Sequence, residues 1–407
     1  MKALFISYNG LLEPILPSQA IPYLKGLAER GYEFILLTYE KKGDLDRVGR
    51  KGLRKLKEGL KKYGIDWQYL RYHKNPPVLS TIFDLFMGAI RVFFIIFSGH
   101  VKIVHVRGIT PGIAVMAVSK FLRFKILFDM RGLLAEEYAA GGLWEEGGLR
   151  FRLVKAAEKR MLMRADAVTV LTRKHLDLNR SLDYLVSRNI PMDVVPCCVD
   201  TGRFVSDEKD EAAVRSELGI GGRFVLMYPG KIGTFYFMDE MLAFFKYMSV
   251  MLPDAVFFIV TADEPSLFLG RAKALGIAAD RILIKEKVPY EEMPRYMRMA
   301  DAGIFFINPR NKIGSSPIKM GEFLSSGVPV IINPGIGDTE ELVRDNRVGV
   351  VVNSFTEREF GAALGELIEL KRGKGLLRER CAATARKLLS NEAAITGYAA
   401  IYRILSV

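Results

Sequence analysis

Residues 313–334 read IGSSPIKMGEFLSSGVPVIINP. Before them, Gly303 to Ile307 is a short apolar run that reads as a strand, and Asn308 to Ser316 reads as a loop. The spacing predicts a helix from Pro317 to Ser326, broken by Gly327, and then a second strand from Pro329 to Ile332. Pro suits a first helical turn, and Ser316 suits the cap before it. The exposed N–H groups of a helix start carry about half a positive charge and form a ready site for phosphate. Lys319 adds a full charge in that first turn. Glu322 lies one turn further on; its charge cannot help hold phosphate, so a sugar or ribose hydroxyl is its better partner.

Strand, loop, helix and strand in this order form one unit of a parallel sheet, and the rest of the chain repeats it. Leu4–Tyr8, Phe34–Tyr39, Trp67–Tyr72, Ile103–Val106, Ile126–Met130 and Ala167–Leu171 are short apolar runs with helical stretches between them. The first helix is expected to be capped by Ser18, with Ile21, Leu24, Leu27 and Ala28 on one face and a stop at Gly31. The pattern restarts with Phe224–Tyr228, Val256–Thr261, Ile282–Ile284, Gly303–Ile307, Pro329–Ile332 and Val348–Val352, with helices at Met238–Met251 and Tyr290–Ala300 among those between. Uniformly apolar strands alternating with helices indicate parallel sheets covered on both faces. The expected fold is therefore α/β, with two doubly wound, Rossmann-like domains. The first spans residues 1–199 and the second 200–389; a terminal helix at about 390–407 packs back on the first. Ligands of such sheets bind at the carboxyl ends of the strands, and two facing domains form a cleft.

Composition excludes several classes. The 407 residues hold three cysteines, too few for a disulfide framework or an all-cysteine zinc site, and four histidines far apart without HExxH spacing. No metal site is expected, and reduced thiols point to an intracellular protein. The first residues, MKALFISY, are too short an apolar run for a signal peptide. Thr81–Ser98 is the best candidate for a membrane span, but it contains Asp84 and Arg91, each costing about 2.5–3.5 kcal/mol at a bilayer centre. The net charge is +13. Residues 1–200 hold 32 Lys and Arg against 20 Asp and Glu, nearly the whole excess, which points to an anionic partner for that half. The densest stretch, Lys41–Lys62, carries Leu53, Leu56 and Leu60 at helical spacing among basic residues. It is either a solvated helix with its leucines in the core or one that also lies on an anionic membrane surface. Nucleic acid is not expected as a partner: the run lacks interleaved aromatics and the chain has no recognisable binding motif.

Ser315-Ser316-Pro317-Ile318-Lys319 followed by Glu322 resembles the donor signature of the family-four retaining glycosyltransferases of the GT-B fold, in their SPxKxxE branch. Val194-Val195-Pro196-Cys197-Cys198-Val199-Asp200 with Arg203-Phe204 is similar to their interdomain segment. Tyr228-Pro229-Gly230-Lys231-Ile232-Gly233 resembles their first C-domain strand and glycine loop, and Met299-Ala300-Asp301-Ala302-Gly303 their later strand entry. Glu158, Arg160 and Ala165-Asp166 match a helix-to-strand junction. The order of these segments carries the resemblance over nearly the whole chain.

The resemblance implies transfer of a sugar from a nucleotide diphosphate sugar with retention of configuration, without a metal or other cofactor. Lys231, after Gly230, and Lys319 would stabilise the leaving diphosphate, and Glu322 would bind the ribose. The family's first acid would fall at Gly314, so Ser315, Ser316 or main-chain amides stand in its place. On the acceptor side, Asn9-Gly10 sits where relatives carry a glycine pair near the donor diphosphate. Arg107 and Arg131 follow apolar strands and are expected to contact an anionic acceptor, and Asp129 is expected to orient its hydroxyl or pair with an arginine. His105 lies inside a strand and reads as buried. The expected activity extends a lipid-linked or anionic glycan for a cell-surface polysaccharide, in the cytoplasm and peripherally on the inner membrane face. The alternatives are a small soluble phosphorylated acceptor, or a non-catalytic nucleotide-sugar-binding subunit.

Overall fold

The computed structural model describes residues 1–205, 208–233 and 235–407. The chain forms two compact units, Met1–Pro196 with Asn391–Val407, and Cys197–Ser390.

The first unit contains β1 (Lys2–Ser7), β2 (Glu33–Lys41), β3 (Ile65–Tyr72), β4 (Ile103–Arg107), β5 (Lys125–Met130), β6 (Ala167–Val170) and β7 (Met192–Val194). They form one sheet in the order β3-β2-β1-β4-β5-β6-β7, with every pairing parallel. Strand order reverses between β1 and β4. Seven consecutive residues of β2, Phe34–Glu40, are buried, as a strand covered on both faces requires. The terminal helix Asn391–Ser406 packs on the helix Ile21–Glu29. Its Tyr398 and Tyr402 rings meet Tyr23 and His105, so residues from both chain ends build one core.

The second unit contains β8 (Val225–Pro229), β9 (Val256–Thr261), β10 (Ile282–Glu286), β11 (Ala302–Phe305), β12 (Val330–Ile332) and β13 (Gly349–Val351). Their order is β10-β9-β8-β11-β12-β13, again parallel, and it reverses between β8 and β11. Asp301 ties the entry of β11 into place. Its carboxylate accepts from Arg215 at 2.9 Å, from the Val225 amide at 3.0 Å and from Lys371.

Some local expectations need correction. Ser18 caps nothing: it lies inside a short helix, Ile15–Gln19, and its hydroxyl donates to the Pro14 carbonyl at 2.9 Å. The segment Asn9–Ser18 is therefore partly helical. β7 is an additional edge strand of three half-buried residues, too short and mixed to show periodicity. The helix expected at Tyr290–Ala300 is confined to Met293–Arg298.

Candidate active site

The reversal between β8 and β11 opens a crevice at their carboxyl ends, where doubly wound sheets bind ligands. After β8 the chain turns through Gly230, whose φ of 138° suits glycine. The Tyr228 hydroxyl donates to the Lys231 carbonyl at 2.6 Å, and the Asp263 carboxylate accepts from the Ile232 amide at 2.6 Å. The Lys231 side chain is exposed. Further along, Phe237 and Asn308 exchange main-chain bonds with Phe306 and Phe235, which lays residues 235–237 beside the end of β11. The Asn333 side chain both donates to and accepts from Ile307 at 2.8 Å, fixing that end.

The helix Ile318–Ser325 enters this frame. Pro317 itself occupies the cap position, with ψ of 120°, and no side chain caps the helix. The expected cap, Ser316, instead accepts from the Cys197 amide at 3.1 Å. A partner 119 residues away in sequence redirects it. Lys319 lies in the first turn, its ammonium 3.8 Å from the centre of the Tyr236 ring and 5.1 Å from that of Tyr228. A Cβ at Gly230 would lie 2.8 Å from the same nitrogen. The missing side chain is what lets Lys319 reach the strand end. Two aromatic faces and bare backbone thus hold one cation at the crevice.

Glu322, one turn on, is buried. Burial pushes its carboxyl up to about 7, against the pull of Lys319 and a hydrogen bond from Tyr290. Tyr290 is held by Phe204 at 6.2 Å and by Arg203, stacked 5.3 Å over its ring. The Arg-Phe pair of the 194–204 segment therefore supports the helix Ile318–Ser325 through Tyr290. Gly314 is buried, while Ser315 and Ile318 are half-buried. Sequence reasoning missed Lys312. It is buried in the loop before this helix, its ammonium 3.9 Å from the Phe235 ring centre. Phe235 and Tyr236 are consecutive, so two lysines converge on one short segment. The only sequence signal was a second lysine seven residues before Lys319.

In the first unit, the ends of the adjacent strands β1, β4 and β5 bring Asn9-Gly10, Arg107, Asp129 and Arg131 to one edge of the sheet. Asp129 is completely buried. It pairs with Arg107 at 3.4 Å, Arg131 at 3.6 Å and His105 at 3.7 Å, and accepts from Thr169 at 3.1 Å. Burial alone would raise its carboxyl, but Arg131, the His105 hydrogen bond and Arg107 hold it well below the usual carboxylate range. Burial likewise lowers the His105 imidazole, only partly offset by Asp129. This geometry favours the arginine-pairing alternative for Asp129 over direct contact with an acceptor hydroxyl.

Asn9 is exposed, and its side-chain amide donates to Glu13 at 3.4 Å. Gly10 is shaped by Glu40, another residue the sequence did not reveal. This buried carboxylate accepts from the Leu11 amide and the Thr38 hydroxyl, each at 2.6 Å, and from the Leu12 amide at 3.2 Å. A Cβ at Gly10 would lie 2.9 Å from the Glu40 Cδ and from the Tyr39 carbonyl oxygen. Glu40→Ala is expected to cost at least about 2 kcal/mol, because buried N–H groups lose their acceptor. Urea unfolding measures it; a cost below about 0.5 kcal/mol, the surface-substitution range, would show that the loop does not depend on this carboxylate.

Among the described residues no three His, Cys, Asp or Glu side chains gather as a metal site would. Among the described residues the three cysteines form no disulfide. Within the basic helix Lys42–Lys61, Leu60 is buried, Leu53 is half-buried and Leu56 is exposed, so only the last leucine of the stripe lies fully in the core.

Two doubly wound parallel sheets, with a cationic helix start at the switch point of the second, define the GT-B class of two-domain α/β enzymes. Residues 22–198 match the Glycosyl transferase 4-like domain and residues 224–370 match Glycosyl transferases group 1, and the chain belongs to this glycosyltransferase family. A GDP-mannose-dependent alpha-(1-6)-phosphatidylinositol monomannoside mannosyltransferase of Mycolicibacterium smegmatis is 26% identical over 230 residues, which cover 55% of this chain and 58% of the relative. Among solved structures, sucrose-phosphate synthase of Thermosynechococcus elongatus has a TM-score of 0.73 at 16% identity, covering 100% of this chain and 99% of that one. HepE of Anabaena in complex with UDP has a TM-score of 0.68 at 13% identity, covering 99% of this chain and 100% of that one. These structures share the fold.

Proposed function

We propose that this glycosyltransferase moves a sugar from a nucleotide diphosphate sugar to a hydroxyl of a lipid-linked or anionic glycan, retaining the anomeric configuration and using no metal. The setting is the synthesis of a cell-surface polysaccharide at the cytoplasmic face of a membrane. The observation that carries the reading is the Lys319 ammonium against Gly230 and Tyr236, with Glu322 buried one turn beyond it. Lys319, with Lys231 and Lys312, faces the charge that develops on a departing diphosphate. The Ser315 and Ser316 hydroxyls and the main-chain amides that follow Pro317 add donors to the same group. Ionised Glu322 accepts from the ribose hydroxyls. Arg107 and Arg131, held by Asp129, attract the acceptor's negative charge, with Asn9-Gly10 at the neighbouring strand end. The names of the relatives support a nucleotide-sugar donor: HepE is described with UDP and with UDP-glucose, and the mycobacterial enzyme as GDP-mannose-dependent.

Product analysis tests the mechanism. The protein is incubated with nucleotide sugars and a lipid-linked acceptor fraction in chelator, and the new linkage is assigned by NMR. Retention in chelator supports the reading, and an inverted linkage or an absolute metal requirement contradicts it.

Glu322 adds a pH prediction. In the folded chain it keeps its proton up to about pH 7, whereas the unfolded chain releases it near its ordinary value of about 4.3. The folded state therefore binds more protons between these values, and this residue's contribution to stability falls as pH rises through that window. Glu322→Gln is expected to be more stable than wild type at pH 8 by an amount on the order of 3–4 kcal/mol, with the gap closing below pH 4.5. Ribose binding favours the carboxylate, so wild-type affinity for the nucleotide is expected to rise from pH 6 to 8 and that of the Gln variant to stay flat. Parallel profiles for both proteins would remove Glu322 from the ribose.

A further inference from the structure

The helix Pro77–Gly99 is apolar on two opposite faces. Ser80, Asp84, Gly88, Val92, Ile95 and Ile96 are buried on one side. Leu79, Phe83, Phe86, Ile90, Phe94 and Phe97 recur every three or four residues on the other, and all are exposed, Phe97 to 71%. No charged residue falls on that second face. Apolar residues all round are the mark of a helix buried in a large core or in lipid. By length and composition this helix could cross a bilayer, but its inner face is already used. It packs on β1, β3 and the helix Ile109–Val118. Asp84 also ties it to the sheet side, accepting from the His73 amide at 2.9 Å and the Tyr8 hydroxyl at 3.3 Å. A helix held in this way can lie along a membrane surface but cannot span it.

Charge around the helix selects the occupant. Between Trp67 and Phe128 the sequence has one acid, the buried Asp84. Lys74 precedes the helix, Arg91 lies on its flank, and Lys102, Lys120 and Arg123 follow it or its packed neighbour; all five are exposed. Phe121, between the last two, is exposed as well. A second copy would bring this positive rim against itself, whereas anionic headgroups neutralise it while acyl chains take the phenylalanines.

We propose that the outer face of Pro77–Gly99 is the surface by which the protein lies in an anionic bilayer, in place of the basic helix Lys42–Lys61. The two helices occupy opposite sides of β3. Lys57 of the basic helix stacks over Tyr69, while Arg91 of the apolar helix bonds Gln68, and successive strand residues point to opposite faces. One flat membrane therefore meets one of these helices and not both. The assignment rests on the membrane association proposed above and gives it a location.

The test uses the full chain and sedimentation with vesicles of phosphatidylglycerol and phosphatidylcholine, or of phosphatidylcholine alone. Wild type is expected to bind the anionic vesicles. The triple variant Phe86→Ser, Phe94→Ser, Phe97→Ser is expected to bind at least about tenfold more weakly, since three buried rings are lost. Lys51→Glu, Lys55→Glu, Lys62→Glu is expected to change binding less than about threefold, its charges being on the far side of the sheet. In a separate Phe97→Trp variant, brominated acyl chains are expected to quench the added indole fluorescence. Wild-type strength in the serine variant, or no such quenching in bound Phe97→Trp protein, overturns the location while leaving association standing. Absence of wild-type binding overturns both. Nucleotide-dependent melting, measured on the same proteins, separates either failure from a failure of the transferase reading.

Discussion

Lys319→Ala is expected to lower kcat/KM for sugar transfer by about 10²–10³-fold, the usual loss when one preorganised positive group facing a developing charge is removed. The group is preorganised in a definite way. Its ammonium rests 3.8 Å from the Tyr236 ring centre, and Gly230 clears the space beside it. A cation already held there needs little rearrangement as charge moves to the diphosphate. The side chain is half-buried, so its truncation should leave melting without nucleotide nearly unchanged. Steady-state kinetics with melting controls decide the matter. A loss of less than about fivefold in rate would mean that the diphosphate is stabilised elsewhere.

Asp129→Ala is expected to cost about 3–5 kcal/mol of stability in the first unit, because it strands buried positive charge. Arg107 is almost wholly enclosed, its nearest carboxylate oxygen being that of Asp129 at 3.4 Å, and Arg131 and His105 face the same carboxylate. Asp129→Asn keeps the shape and the Thr169 contact and should cost less, while still removing the carboxylate charge that faces the enclosed Arg107. The pH dependence separates charge from shape. The folded carboxyl is held below its usual range, so its stabilisation is complete above the unfolded value of about 3.9 and is lost as pH falls through the folded value. The gap between wild type and Asn variant should therefore be constant at neutral pH and shrink on acidification. A gap that does not change with pH would show that the carboxylate contributes packing and not charge.

Which parts were legible follows from how each residue is held. Buried parallel strands are plain apolar runs, so β2 could be read from FILLTY and β9 from VFFIVT. The helix Ile318–Ser325 was legible because Pro317, Lys319, Glu322 and Gly327 carry local geometry in their spacing. The caps were not, because Ser18 and Ser316 satisfy partners other than the helix starts they precede. Glu40, at a strand end, and Lys312, in a loop, escaped because a single buried charge looks like ordinary loop polarity until its partners are known. In the helix Pro77–Gly99, Asp84 and Arg91 were legible as residues that weigh against crossing a bilayer. Its second apolar face became visible only once the sheet had covered the first.

The central claim is that the start of the helix Ile318–Ser325 holds a nucleoside diphosphate. It is tested most directly by thermal melting of wild type and Lys319→Ala with UDP, GDP, ADP or TDP, first in chelator and then with magnesium. A ligand at about 100 times its dissociation constant stabilises a fold by about 2.7 kcal/mol. The account predicts a clear rise with one of these nucleotides in chelator, and its loss in the variant. No rise with any nucleotide, or an equal rise in both proteins, would contradict it.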